Sequence, residues 1–303
     1  MEKVALQILV LCQVGPGTVA NALLFIHNFS PIVTDSQMRP IQIIQTNLAI
    51  ANVFIILLLF FTNNMTVGVL KRTLTDLSCK CGYFLYLVAR SSNMCFTCAL
   101  STYQFVTLVS GNWGRVLLRG RATKVVSYSC YSCWLFSILN NAYIPMKISG
   151  SQKPNNGIDV KVKWVCSISD FSVGMNFLRF AHDIIFISIM LWTSVSMVLL
   201  LRKHHQRLQH IHTPIQDHRG YAEIRACHTI LMVVVTFVSF YFLDCICTFF
   251  RISFVNTCLW LGHVKEVLAV SFPTIYPLIL IFRGPKDHCS LFFTVQPLNH
   301  VTR

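Results

Sequence analysis

Charge is scarce in this sequence. Only 12% of its 303 residues are Asp, Glu, Lys or Arg, about half the ~25% of an ordinary soluble domain, and there are 11 acidic residues against 25 basic ones. Too few polar groups remain to clothe a water-exposed surface. Common catalytic signatures are missing too. No glycine-rich phosphate loop ends in Gly-Lys-Ser/Thr and no His-Glu-x-x-His pair occurs, which removes P-loop nucleotide chemistry and the zinc-protease site. What the chain has instead is 54% hydrophobic residues and a mean hydropathy of +0.59. The apolar runs recur from end to end, so a soluble domain with one anchor is a poor fit and the bilayer is the solvent.

The net charge of +14 does not point to nucleic acid. The basic residues sit in short segments between apolar runs, as in a polytopic membrane protein, and no basic domain or aromatic-interleaved groove accompanies them. Membrane lipid is an expected partner and nucleic acid is not.

Seven segments approach the ~20 apolar residues needed to cross a bilayer: Val4–Ile26, Ile43–Thr62, Gly82–Val109, Val125–Pro145, Phe180–Leu201, Cys227–Phe250 and Val264–Phe282. The third and fourth are the poorest, being rich in Ser, Thr, Cys and Asn. The first begins like a signal peptide, with Lys3 ahead of an apolar stretch. Apolar residues resume after Gly15, Pro16 and Gly17 and continue to Ile26, long enough to span, so an uncleaved first helix is expected. The fold class is therefore an all-α membrane protein, one seven-transmembrane bundle over residues 1–303 with a short tail from 283 to 303. With the N-terminus outside, the inner loops and tail collect slightly more Lys and Arg than the outer segments do. The positive-inside rule favours that orientation by a small margin and leaves the tail cytoplasmic.

Most of the 13 cysteines fall inside the apolar segments, where a thiol behaves as a small hydrophobe. Cys79 and Cys166 lie on the outer, oxidising side and can bridge there, with Cys81 a competitor for Cys79. The Cys-x-x-Cys spacings Cys95–Cys98 and Cys130–Cys133 read as small surfaces packed against neighbouring helices rather than as redox or metal sites. Asn28 and Asn64 begin sequons; the first is expected inside and unused, and the second hugs the membrane.

Three ionisable residues fall within the apolar segments: Arg90, Asp183 and Asp244. Intramembrane charge is costly, so by default it marks a site. The plainer reading is an arginine satisfied by one aspartate, whereas an arginine left partly free favours an anionic ligand group. All three fall toward the outer half. Arg115, Arg119 and Arg121 after the third segment, and Arg202, Lys203 and Arg225 between the fifth and sixth, form basic inner loops suited to anionic lipid and an intracellular partner. The five histidines of the latter loop lack metal-ligand spacing, and no metal or other cofactor is expected. Pro273 and Pro277 flank Tyr276 in the seventh segment. In hydrocarbon their freed carbonyls can be re-satisfied by neighbouring helices, polar side chains or water, so the pair reads as a deliberate kink.

Three of these stretches carry a family resemblance. HHQRLQHIH followed by AEIRACHTILMVVVTFVSFY, CKCGYFLYLVARSSN followed by TCALSTYQ, and SFPTIYPLILI are similar to the corresponding segments of the vomeronasal type-1 receptors. The resemblance implies a seven-helix G-protein-coupled receptor of vomeronasal sensory neurons. It would sit in the plasma membrane, detect pheromone-like small molecules and couple to a Gi/Go-type G protein. It also implies the bridge Cys79–Cys166 and the absence of enzymatic activity. Ser91 stands where the family's pattern has glycine, and the loop Met146–Arg179 has no sequon. The Asp-Arg-Tyr and Cys-Trp-x-Pro motifs of the large rhodopsin-like class are absent, and Phe272 stands where that class's Asn-Pro-x-x-Tyr has asparagine. PLILIFRGPK resembles the bitter taste receptors, the alternative within the same mechanism. A transporter or channel predicts inverted repeats and broken helices, toward which only Gly15-Pro16-Gly17 points.

Overall fold

The computed structural model describes residues 2–33, 39–67, 76–109, 122–149, 167–168, 173–209, 217–253 and 259–283. Seven long helices carry the chain among these residues: α1 (Glu2–Val33), α2 (Pro40–Val67), α3 (Asp76–Val109), α4 (Ala122–Asn141), α5 (Val173–Gln209), α6 (Asp217–Ser253) and α7 (Leu259–Arg283). A single helical turn, Ile144–Lys147, follows α4. Beyond it β1 (Ile148–Ser149) pairs antiparallel with β2 (Ser167–Ile168). Several helices outrun the apolar segments that specify them, α5 by a turn or more at each end. Once a helix has spanned the hydrocarbon, nothing ends it at the interface until a breaker arrives.

Five helices (α1, α2, α5, α6 and α7) are long and apolar enough to cross a membrane on those two properties alone. The exceptions, α3 and α4, are the two segments diluted by Ser, Thr, Cys and Asn. Their polar groups face protein: Ser91, Ser92, Asn93, Thr97 and Ser101 of α3 and Ser137 and Asn141 of α4 are all buried. The outward faces of α4 and α5 show Tyr131 at 71% and Trp192 at 73% exposure. Such a surface is stable only against lipid.

The helices close a ring, with α1 against α2 and α7, α7 against α6, α6 against α5, and α3 inside touching α2, α4, α5 and α6. Cys95 of α3 is bonded to Cys133 of α4 with Cα atoms 5.8 Å apart. The sequence reading assigns these cysteines packing alone. It treats each Cys-x-x-Cys as a unit within one helix, and the packing of α3 on α4 pairs them between helices instead. Cys98 and Cys130 remain as buried free thiols. Asn28, the first sequon, is 3% exposed within α1, which bars an oligosaccharide in the folded protein.

α1 runs unbroken through Gly15-Pro16-Gly17. Two of these residues explain themselves by position. Pro16 is on the exposed face. Gly17 lets α7 approach: a Cβ there would stand 2.6 Å from Thr274 Oγ1 and 3.1 Å from Ile56 Cδ1, whereas one on Gly15 would meet nothing within 4 Å. Close helix approach through a small residue is a recurrent way to pack helices in lipid.

α7 is helical straight through Pro273 and Pro277. Pro277 has no N–H, so the carbonyl of Pro273, four residues back, has no donor within the helix. Asn21 of α1 supplies one: its Nδ2 donates to Pro273 O at 2.8 Å. The donation crosses from α1 to α7 near Gly17, where the two backbones are close. Replacing Gly17 with leucine is therefore expected to cost about 1–3 kcal/mol of stability through overpacking, with Gly15→Leu near neutral. Thermal unfolding of the two detergent-solubilised variants measures the difference.

Candidate ligand site

Four helices bring their charged residues together. Arg90 of α3 donates from Nη2 to Asp244 Oδ2 of α6 at 2.8 Å, and the same nitrogen lies 3.8 Å from Asp183 Oδ2 of α5. Lys265 of α7 reaches Asp244 Oδ1 at 4.0 Å. The guanidinium lies over the Tyr241 ring, 4.9 Å from its centroid, a cation–π contact strengthened by desolvation. The Tyr241 hydroxyl turns back and donates to the Arg90 carbonyl at 3.3 Å. Arg90 and Asp183 side chains keep 19% of their surface exposed and Asp244 11%, so the cluster borders open space without being flooded by it.

The sequence reading weighs a single aspartate on Arg90 against a partly free arginine. Both aspartates face Arg90, and Lys265 balances the second. Among the described residues, two carboxylates stand against two cations, and no surplus positive charge is left there to attract an anion. The group on the α5 side is His182, 8% exposed. Its Nδ1 is 3.1 Å from Asp183 Oδ1 and its Nε2 3.2 Å from Ser91 Oγ. Its ring packs between Phe136, 5.5 Å away, and Phe186, 4.8 Å away.

Two small cavities flank Arg90. One, of about 30 Å³, lies toward α2, α6 and α7, with Asn93, Asp244 and Phe272 in its wall. The other, of about 20 Å³, lies toward α4 and α5, with Ser91, Asn141 and His182 in its wall. Arg90 and Tyr241 line both.

An aromatic column leaves the cluster. Tyr241 stacks on Phe237 at 4.2 Å, Phe237 meets Phe272 edge-on at 4.7 Å, and Phe272 contacts Tyr276 at 5.9 Å. The steps Tyr241 to Phe237 and Phe272 to Tyr276 each span one helical turn, and the crossing between them joins α6 to α7. Tyr276 is fully buried.

Of the residues singled out in the sequence, Arg90, Asp183 and Asp244 come together, and Pro273 and Tyr276 are linked to them through the first cavity and the aromatic column. Cys166 and Arg115, Arg119 and Arg121 lie outside the described residues. Cys79 and Arg225 lie in helices, with their side chains outside the described residues. Arg202 and Lys203 are exposed near the end of α5. Sequence reasoning misses His182, Tyr241, Lys265 and Asn93. His182 has a signal, since it adjoins an intramembrane aspartate; Lys265 counts with the outer segments there because it begins an apolar run.

A family model described as the vomeronasal organ pheromone receptor family matches residues 4–290. The chain belongs to this receptor family. Vomeronasal type-1 receptor 4 of Homo sapiens is 29% identical over 282 residues, 92% of this chain and 94% of that protein. Vomeronasal type-1 receptor 2 of Homo sapiens is 29% identical over 280 residues, 91% of this chain and 71% of that protein. A more distant relative, the olfactory receptor class A-like protein 1 of Danio rerio, is 22% identical over 285 residues, 91% of this chain and 88% of that protein. The family match covers all seven helices, so this chain is a multi-pass membrane receptor of the chemosensory, G-protein-coupled type, and the family is one of receptors rather than of enzymes.

The charge cluster of this vomeronasal-family receptor has an unequal dependence on its members. Arg90→Leu leaves two carboxylates facing each other and is expected to destabilise the receptor by on the order of 3 kcal/mol. Asp244→Asn leaves Arg90 with Asp183 and costs less. The order of the two unfolding temperatures in detergent tests this, and an Asp244→Asn receptor less stable than Arg90→Leu would contradict it.

Proposed function

We propose that this chain is a plasma-membrane receptor of vomeronasal sensory neurons, N-terminus outside. In this reading it binds a small pheromone-like molecule beside Arg90, Asp183 and Asp244 and activates a Gi/Go-type G protein through Arg115, Arg119, Arg121, Arg202, Lys203 and Arg225. The bridge Cys79–Cys166 pins the second outer loop over the bundle. The observation that carries the reading is the ion cluster itself. It draws α3, α5, α6 and α7 to one point beside two cavities, and intramembrane charge is retained where function requires it.

A ligand shifts a two-state receptor only by its differential affinity for the two states, so the site must touch groups that move. The aromatic column provides them, leading from Tyr241 on α6 to Tyr276 on α7. The Tyr276 hydroxyl is buried with no hydrogen-bond partner among the described residues. A second arrangement that pairs it gains free energy, which makes Tyr276 a natural moving part beside the proline pair, Pro273 and Pro277.

Expression in cells carrying a Gi/Go reporter, with exposure to a panel of urinary steroids and volatiles, tests the function. Ligand-dependent signalling abolished by ADP-ribosylation of the G-protein α subunit is expected. Ligand-driven current or uptake that persists without G protein would overturn it. Pro273→Ala restores a backbone donor in α7 and is expected to shift agonist potency by about tenfold at equal surface expression. An unaltered concentration-response curve removes the proline pair from the switch.

A further inference from the structure

Pro277 dictates which way three buried amides point. A carbonyl can only accept, so Asn21 must present its NH2 to Pro273 O, and it does so while also donating to Gly17 O, both at 2.8 Å. Its oxygen is then left to face α2, where Asn52 Nδ2 donates to it at 3.0 Å. Asn52 in turn offers only its oxygen to α3, and Asn93 Nδ2 donates to that oxygen. Each amide is oriented by the one before it. The run ends at Asn93 Oδ1, in a side chain that is 1% exposed, and this oxygen has no hydrogen-bond partner among the described residues. An unfilled buried acceptor is costly, and each one in a native protein calls for an explanation.

Asn93 lines the 30 Å³ cavity beside Arg90. We propose that this cavity receives the hydroxyl end of a small, uncharged and otherwise apolar ligand, with Asn93 Oδ1 accepting its hydrogen. The proposal rests on the reading of this cluster as the ligand site and specifies the chemistry recognised there.

Size, polarity and charge each restrict the occupant. About 30 Å³ is room for one or two water-sized groups, so a polar tip enters and the body of the ligand stays outside. The tip must donate. Besides Asn93, whose Oδ1 is the unfilled acceptor, the wall holds Ala269, whose carbonyl loses its in-helix donor to Pro273. The Tyr241 hydroxyl is already given to the Arg90 carbonyl and one Arg90 nitrogen to Asp244, whereas the group in this wall that lacks a partner is an acceptor. An ether or ketone oxygen therefore offers Asn93 nothing. An ammonium would donate, but Asp244, the carboxylate of this wall, already faces Arg90 and Lys265, so the added charge would go unbalanced. A carboxylate or sulfate would meet Asp244 and the Asn93 oxygen. A neutral hydroxyl fits all three restrictions and supplies the hydrogen that the Asn93 oxygen lacks.

The test uses purified full-length receptor in detergent micelles and reads thermal unfolding. The probes are cyclohexanol, borneol, 1-nonanol and 5α-androstan-3β-ol, each set against its own methyl ether. At least one alcohol is expected to raise the unfolding temperature, with its ether about tenfold weaker, as loss of one buried hydrogen bond implies. Asn93→Leu should bring that alcohol down to the level of its ether. The proposal is overturned if alcohol and ether act alike on the native receptor or if no alcohol acts. It is equally overturned if Asn93→Leu preserves the discrimination. Should Asn93→Leu not fold, the alcohol and ether pairs on the native receptor decide alone. No G protein takes part in this readout. A receptor that signals through Gi/Go yet treats alcohol and ether alike keeps the proposed function and loses this inference; discrimination without signalling does the reverse.

Discussion

The arrangement of this bundle hangs on one missing hydrogen. Pro277 cannot donate to the carbonyl of Pro273, and within a bilayer no bulk water can do so in its place. The Asn21 side chain meets that need at 2.8 Å, and its position forces α1 and α7 into close approach, which Gly17 permits by having no side chain to clash with Thr274 and Ile56. From Asn21 the same requirement passes to Asn52 on α2 and Asn93 on α3. Four helices are thereby registered by a run of amides whose direction is set at its α7 end. In a soluble core two prolines four residues apart would cost roughly 3 kcal/mol or more each; here the second is the origin of an interhelical network.

Charge supplies the second constraint, and it ties α3 toward α5, α6 and α7. Removing one member of a buried ion cluster leaves its partners uncompensated, so the members hold one another in place more firmly than their net interaction energy suggests. Arg90 thus ties α3 to α5 and α6 through Asp183 and Asp244, and Lys265 adds α7. The Cys95–Cys133 bond fixes α4 to the same helix. With amides toward α1 and α2, ions toward α5, α6 and α7, and a covalent tie to α4, α3 is joined directly or through one partner to every other helix. Its weak hydropathy follows from that role, because each tie needs a polar or sulfur-bearing residue where a lipid-facing helix would carry leucine.

Much of this is legible in the residues. Seven apolar segments are read directly because the bilayer requires a nearly uniform length and composition. Arg90, Asp183 and Asp244 announce themselves because charge is rare in such segments. What cannot be read is which residues on different helices share a level. Cys95 and Cys133 each belong to a short spacing within one helix, and nothing in either spacing reveals the cross-helix bond. Asn93 looks like one more polar residue in a poor span; only its register against Asn52 turns it into the head of an amide run. Lys265 shows the opposite failure, since a lysine at the start of an apolar segment is normally interfacial and this one points inward to Asp244. Helix length is underestimated for a related reason: apolar residues mark the hydrocarbon, and α5 continues well past it.

The amide run and the ion cluster meet on α3, where Asn93 follows Arg90 by three residues and so lies on the same face. Both line one cavity with Tyr241 and Phe272. A group entering there contacts the end of a network whose far end is the Pro273 carbonyl, and at the same time the aromatic column whose far end is Tyr276. Those two ends are three residues apart on α7. A ligand that binds differently to two positions of α3 relative to α7 therefore acts on the proline-bearing turn from both sides, through hydrogen bonds and through packed rings. Neither route alone needs to carry much energy, because a differential affinity of a few kcal/mol already moves a two-state equilibrium by orders of magnitude. The absence of Asn-Pro-x-x-Tyr at Phe272 then has a physical counterpart: the asparagine that serves this turn of α7 comes from α1, as Asn21, and the ring at position 272 is a step in the column.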